Sequence, residues 1–298
     1  MGAAQQLPFV SVVVPVYDDP RLVLMLEALR GQTYSRECYE VVVCDNDSHT
    51  DVATQVQAIA KDVSARTVVE VRPGAYAARN AALRDAIGAV LAFTDADCLP
   101  AADWLANGVA ALSGPASPDL VAGRVDVFPS GFRMTASELY EAVNAFPQQR
   151  YVEQHHFGVT ANLFVRRDVI DRVGSFDATV HSGGDREFCN RAVDAGFSLA
   201  YDDSVVVRHP ARRTLAELRR KQRRTNRGMF VGGVMSPTAR TAVVGLRPPL
   251  RTLYRTRQLP YIRQHGGWIR YATAAGFMHY GLAFDSMRHV LGLGRDYR

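Results

Sequence analysis

No apolar run in this 298-residue chain reaches the roughly 18 residues needed to cross a bilayer, although 47% of the residues are hydrophobic, enough for a substantial core. Cysteine is scarce. Cys38, Cys44, Cys98 and Cys189 show no CxxC spacing and no zinc-ligand grouping, which leaves reduced, semi-buried thiols as the reading. The N-terminal "MGAAQQLPFVSVVVPVYDD" lacks a basic n-region, and its first apolar run reads as a strand rather than a signal peptide, so a cytoplasmic location is expected. There is no GxxxxGK[ST], and no GxGxxG between the first strand and helix, so a kinase-like or Rossmann dinucleotide site lacks its phosphate cradle. No internal repeat or low-complexity linker is present. Lysine is heavily outnumbered by arginine, a composition that fits a GC-rich bacterial source. Acidic residues are nearly missing from the last third: residues 205–298 carry 19 Lys/Arg against 3 Asp/Glu, whereas residues 1–204 carry 16 against 27. An acidic body argues against a general nucleic-acid binder, and a basic tail suits phosphates of a nucleotide, a lipid headgroup or a membrane surface.

What is present is an alternation of strands and helices. "FVSVVVPV" (9–16) is a β-branched run of the kind buried on both faces of a parallel sheet. "RLVLMLEALRGQ" follows with Leu22, Met25, Leu26 and Leu29 at helical spacing and Gly31 as its stop. Then come a strand "YEVVVCD", a helix "DVATQVQAIAKDV", a short strand "RTVVEV", a helix "GAYAARNAALRDAIG" closed by Gly88, and a strand "AVLAFTD". This order predicts a doubly wound, mostly parallel sheet that binds its ligand at the carboxyl ends of the strands. Beyond residue 114 the pattern loosens. "PDLVAGRVDVF" reads as a strand, "MTASELYEAVNAF" and "GGDREFCNRAVDAG" as helices, and "FSLAYDD" and "SVVVRH" as separate strand pieces. Thr214 and Glu217 have capping-box spacing at the start of a very basic helix. The remainder, about 236–298, reads as helical and rich in Arg and aromatics.

Three carboxylate features follow three strands: Tyr17-Asp18-Asp19, Asp45-Asn46-Asp47 and Asp95-Ala96-Asp97. Each alone is ordinary turn and cap chemistry. Together they converge, because parallel strands send their carboxyl ends to one edge. A carboxylate pair is costly to desolvate unless donors or a cation meet it. A hard divalent cation with oxygen ligands fits the Asp-x-Asp, and such an ion bridges the phosphates of a nucleotide-sugar and stabilises the departing diphosphate.

With these motifs the sequence resembles the family 2 inverting glycosyltransferases with a GT-A fold. The likeness covers roughly residues 9–228 and rests on "VSVVVPVYDD", "VVVCDNDSHTD", "GAYAARNAAL", "FTDADC" and "GSFDATVHSGGDREFCNR". The resemblance implies an α/β architecture, a mostly parallel twisted sheet flanked by helices with a basic helical C-terminal extension. Residues 1–235 would form the catalytic domain, with a nucleotide-binding half (about 1–114) and an acceptor half (about 115–235), and 236–298 the extension. It implies donor contacts from Pro15, Val16, Tyr17 and Asp18, from Asp45 to the uracil base, and from Arg72, Arg79, Asn80, Thr94, Ala96 and Gly184. Asp95 would contact the ribose or the metal, Asp97 would ligate Mn2+ or Mg2+ directly, and Asp185 would be the general base. Where relatives often carry Glu before that base, this chain has Gly184. His209 either completes the metal site or is an ordinary strand-end histidine. Asn162 either bonds a sugar hydroxyl or caps a loop. Trp104 reads as core packing.

The basic helix "TLAELRRKQRRTNRG" reads by default as a solvated face, and the resemblance adds a second reading in which Arg224 or Arg227 touches the diphosphate. The Arg- and aromatic-rich segment after it suits either an anionic lipid surface, at the inner face of the plasma membrane, or packing and a homodimer contact. The expected activity is metal-dependent transfer of a sugar from a UDP-sugar to a hydroxyl of a glycan, lipid-linked or small-molecule acceptor. A nucleotidyltransferase should show a Gly-rich basic loop after the first strand, which "PVYDDPR" is not. A nucleic-acid binder acting through the tail leaves the strand-end aspartates unexplained.

Overall fold

The computed structural model describes residues 7–59, 62, 64–114, 117–180, 182–231, 262 and 266–290, with backbone alone at 227–231 and 289. The chain divides into two compact units, Met1–Asp126 with Phe146–His209, and Val127–Ala145 with Pro210–Arg298. The boundaries expected near 114 and 235 adjoin residues 115–116 and 232–261, which lie outside the described residues.

In chain order the elements are β1 (Val10–Val16), α1 (Leu22–Arg30), β2 (Tyr39–Asp45), α2 (Val52–Ile59), β3 (Ser64–Val69), α3 (Ala75–Asp85), β4 (Val90–Thr94), β5 (Leu99–Pro100), α4 (Trp104–Leu112) and β6 (Leu120–Phe128). There follow α5 (Ala136–Asn144), α6 (Gln148–His155), β7 (Asn162–Arg166), α7 (Arg167–Val173), α8 (Gly184–Asp194), β8 (Leu199–Pro210), α9 (Leu215–Val231) and α10 (Trp268–Val290). One sheet runs β3-β2-β1-β4-β7-β6-β8-β5. Its first four strands are parallel, while β7 is antiparallel to β4 and to β6, so the sheet is mixed.

The β-branched runs explain the layering. A strand with apolar side chains at every position must be covered on both faces. Val10, Val12, Val14, Val41, Val43 and Ala92 meet α1, α2 and α4 on one side. Val13, Val42, Cys44, Leu91 and Phe93 meet α3 and α8 on the other. Ser11 and Glu40 are buried exceptions, and both are satisfied. Ser11 Oγ donates to Glu40 Oε1 at 2.5 Å and accepts from the Gly88 N–H at 2.7 Å. Gly88 was expected to close the third helix, but that helix ends at Asp85. The glycine is instead required by close approach: a Cβ there would lie 2.4 Å from the Ser11 backbone nitrogen.

Two strand pieces expected between 197 and 209 are one continuous strand, β8. The break expected between Asp203 and Ser204 is absent, and within the strand Ser204 Oγ donates to Asp202 Oδ1 at 2.6 Å. The expected capping box of α9 is present, with Thr214 N donating to Glu217 Oε2 at 3.0 Å and Glu217 N to Thr214 Oγ1 at 3.1 Å. In the second unit, α5 opens with its own capping box at Thr135 and Glu138 and packs Leu139 against Ile262 and Tyr271. Among the described residues no helix is long and apolar enough to cross a membrane.

Candidate active site

Parallel pairing sets the carboxyl ends of β2, β1 and β4 side by side. Asp45 lies opposite Val16, and Phe93 opposite Val13, so the three aspartate loops leave one edge of the sheet. Asp18, at φ 45°, is left-handed and ties two of these loops together. Its carboxylate accepts from the His49 and Thr50 N–H groups at 2.8 and 3.1 Å, and its own N–H donates to Ser48 Oγ at 3.0 Å. Asp45 Oδ1 accepts from Ser48 N at 2.9 Å. Tyr17 stands exposed beside this loop, its ring edge-on to His49. Asn46 links the loop onward: its Nδ2 donates to the carbonyls of Glu70 and Arg72, and its Oδ1 accepts from Gly74 N. Arg72 makes a two-point pair with Glu70, whose carboxyl it holds down to about 2.

After β4 the chain makes a tight turn. Cys98 N donates to the Asp95 carbonyl at 3.0 Å, which turns Ala96 and Cys98 into the core and leaves both carboxylates at the surface of the edge. Different partners meet the two. Asp95 pairs with the buried Arg79 guanidinium. Asp97 Oδ2 lies 3.4 Å from Arg21 Nη2 and 3.5 Å from His209 Nε2. Arg21 also grips Asp19 at 2.6 Å, and although burial pushes the Asp19 carboxyl up, the hydrogen bonds from Arg21 outweigh it and the net shift is downward. Asp97, Cys98 and His209 each offer a ligand atom within 4.8 Å of the others, the grouping of this kind found among the described residues.

Asp185 occupies the second position of α8, after a left-handed Gly183 at φ 87° that lets the chain turn into the helix. It is half-buried. Burial raises its carboxyl above the ordinary value, with Asp95 adding to the rise and Arg79, the Arg186 N–H and the Tyr76 hydroxyl opposing it. A carboxylate whose proton affinity is raised in this way is a stronger base than an ordinary aspartate.

Several residues expected to contact a donor have other work. Asn162 is fully buried: its Nδ2 donates to the carbonyls of Arg124 and Val205 at 2.8 and 2.9 Å, and its Oδ1 accepts from Trp104 Nε1 at 2.9 Å. It locks strands to α4 and has no face for a sugar. Asn80 uses both ends of its amide on the Phe176 backbone, at 2.7 and 3.0 Å. Thr94 donates its hydroxyl to the Ala161 carbonyl inside the sheet. Val16 and Ala96 bury their side chains in the core, and Pro15 lies within β1. Arg224 stands on α9 of the second unit, and the side chain of Arg227 lies outside the described residues. Sequence reasoning missed Arg21 and Tyr76; the signal for the first was a cation two residues after Asp19, and for the second the empty position at Gly184.

A glycosyl transferase family 2 model matches residues 11–174 of the chain. The chain belongs to glycosyl transferase family 2. Among relatives of this transferase, the glycosyltransferase AglE of Haloferax volcanii is 40% identical over 229 residues, 75% of this chain and 74% of that protein. The pre-mycofactocin glycosyltransferase of Mycobacterium tuberculosis is 29% identical over 244 residues, 77% of this chain and 47% of the relative. Among solved structures, the mannosyltransferase PcManGT from Pyrobaculum calidifontis, in complex with GDP-Man and Mn2+, superposes with a TM-score of 0.66 at 21% identity over 98% of this chain and 89% of that one. S. aureus TarS 1-349 in complex with UDP gives 0.56 at 16% identity over 97% and 93%. These likenesses carry the fold, which is GT-A, and family membership decides for a glycosyltransferase over a nucleotidyltransferase.

Proposed function

We propose that this family 2 glycosyltransferase moves a sugar from a nucleoside diphosphate, with UDP the expected nucleotide, to an acceptor hydroxyl with inversion at the anomeric carbon. The observation that carries the reading is the grouping of Asp97, Cys98 and His209 at the Asp-x-Asp turn, from which Asp97 and His209 offer the donors suited to a hard cation, with Asp185 held separately on α8. Carboxylate oxygen and imidazole nitrogen are a reasonable donor set for Mn2+ and an acceptable one for Mg2+. Asp97 and His209, with Asp95 beside them, would hold the divalent cation, and when bound it would neutralise charge on the diphosphate leaving group. Asp45 is the candidate contact to the base. The buried Nε–H of Arg79, which has no partner among the described residues, is a second polar group that favours a ligand here.

Asp185 removes the proton from the acceptor hydroxyl. The acceptor oxygen bonds to the anomeric carbon as the bond to the diphosphate breaks on the opposite side, and the electron pair leaves with the nucleotide. Base and cation site must therefore be separate groups: Asp185 lies in the first turn of α8, whereas Asp97 lies in the turn between β4 and β5 and His209 near the end of β8.

The test is isothermal calorimetry with UDP and MnCl2, joined to UDP release from a panel of UDP-sugars. Asp97→Ala should weaken manganese-dependent UDP binding more than about tenfold, ~1.4 kcal/mol. Asp185→Asn should keep that binding and lose transfer by roughly 10²–10⁴-fold. Unchanged titration in the first variant, or wild-type turnover in the second, overturns the reading.

A peripheral contact with anionic lipid is proposed for the second unit. Helix α10 leaves Ile269, Phe277, Tyr280 and Phe284 exposed, and α9 exposes Arg220, Arg223 and Arg224. Apolar and basic side chains of this mixture suit the boundary between headgroups and acyl chains.

A further inference from the structure

Helix α8 begins without a capping side chain. Its N-cap is Gly183 and its first residue Gly184, so the N–H of Asp185, one of the first four that a helix cannot satisfy itself, needs an acceptor from elsewhere. Tyr76, at the second position of α3, supplies it. The Tyr76 hydroxyl oxygen accepts from Asp185 N at 3.2 Å, and the same hydroxyl donates to Asp185 Oδ1 at 3.2 Å. One O–H proton and the oxygen lone pairs serve both bonds without conflict. Oδ1 also accepts from Arg186 N at 3.0 Å, while Oδ2 takes no hydrogen bond from the described residues.

The ring that carries this hydroxyl is held from three sides. It stacks on Phe176 at 5.7 Å and 28°, and Phe176 in turn packs against Phe93 and Phe188. Asn80 pins the Phe176 backbone through both ends of its amide. The Arg79 guanidinium lies 5.6 Å from the Tyr76 ring centre. On the remaining side the ring lies against the backbone of Gly184, where a Cβ would come within 2.8 Å of Tyr76 Cε2 and 2.9 Å of Cζ. Tyr76 and Gly184 are thus a matched pair: the ring fills the place a side chain at 184 would take.

We propose that Tyr76 is the positioning residue of the base, its hydroxyl clamping the backbone and Oδ1 of Asp185 so that Oδ2 is the atom left to receive the acceptor's proton. This rests on the reading of Asp185 as the general base. Burial and the neighbouring Asp185 charge push the Tyr76 phenol up, so it remains a proton donor whenever the carboxylate is charged. The groups facing Asp185 are Tyr76 and Arg79 from α3, Asp95 after β4, Tyr151 from α6, and Arg186 and Cys189 on its own helix. Of these, Tyr76 is the one whose phenylalanine variant removes a hydrogen bond to the carboxylate and keeps every ring contact.

The experiment is a 13C NMR titration of the side-chain carboxyls in the full-length protein labelled at aspartate, with the Asp185 signal identified from its loss in Asp185→Asn. In Tyr76→Phe the Asp185 midpoint should move to higher pH, because a hydrogen bond that favours the charged form is gone. UDP release should fall roughly ten- to hundredfold with the donor KM unchanged, the pattern of a misplaced base. An Asp185 midpoint that stays at its wild-type value overturns the proposal, since a purely structural ring would leave the carboxyl's titration alone. The two readings fail separately. If Asp185→Asn retains transfer while Tyr76→Phe moves the midpoint, the base assignment falls and the clamp stands. If Asp185→Asn is inactive and Tyr76→Phe moves nothing, the clamp alone falls.

Discussion

At Gly184 two opposing effects have known sizes. Alanine is favoured over glycine inside a helix by about 1 kcal/mol. Against that, a methyl group here would meet the Tyr76 ring at 2.8 Å, and forcing carbon into a packed site costs roughly 1–3 kcal/mol. The ring cannot retreat easily, because Phe176 stands behind it. Gly184→Ala is therefore expected to lower stability by up to about 2 kcal/mol in urea unfolding. The loss should be less than additive with Tyr76→Ala, since the second change removes the obstacle that makes the first one costly. A stabilising Gly184→Ala would mean that ring and backbone are not in contact. The resemblance flagged position 184 as a departure, but its cause lay 108 positions away in the chain, in a tyrosine whose own motif gave no hint of a carboxylate partner.

Helix α5 teaches the corresponding lesson for an element. Its sequence reads plainly as a helix, and its inward face carries two carboxylates besides Leu139. Glu138 closes the capping box and accepts from Ser130 N and Oγ at 2.9 and 2.6 Å. Glu141 accepts from Arg212 N at 2.7 Å, Arg212 Nη1 at 2.8 Å and Lys221 Nζ at 3.0 Å. Burial pushes both carboxyls up, but these donors and cations outweigh it and both end below the ordinary 4.5. A carboxyl with a lowered folded value adds stability above its unfolded value, and that stability is lost as pH falls through the folded one. The thermal midpoint should hold above about pH 5 and fall below it. Glu141→Gln should destabilise by roughly 2 kcal/mol at neutral pH and flatten that fall, less than a fully buried pair would give because Arg212 and Lys221 are about a quarter exposed. A variant with the wild-type acid profile would remove Glu141 from the account.

For the whole molecule the division of charge is the dominant fact. Residues 205–298 hold 19 Lys/Arg against 3 Asp/Glu, and the chain up to 204 is acidic. Part of the basic charge is used internally: Arg219 pairs with Asp285, which also accepts from Asn226 at 3.0 Å. Arg220, Arg223 and Arg224 remain exposed on α9, and the proposed lipid contact rests on them. The full chain should co-sediment with vesicles containing phosphatidylglycerol, weakly or not at all with pure phosphatidylcholine, and Phe277→Asp with Phe284→Asp should abolish the binding. Equal recovery in the supernatant with both lipids rejects the membrane surface.

Local pattern carried the parallel half of this protein. Four parallel strands, the helices between them and the aspartates that follow three of them could be read directly, because strand period, helix period and turn chemistry are properties of short segments. The family could be read for the same reason. Only the tertiary structure decided which side chain meets which aspartate: Arg79 for Asp95, Arg21 and His209 for Asp97. It also decided that Asn80 and Asn162 brace the scaffold, that β7 runs against β4, and that a tyrosine on α3 caps α8. Hydrogen-bond pairing and close packing join residues tens of positions apart, and a sequence read segment by segment holds no record of which distant groups burial will force together.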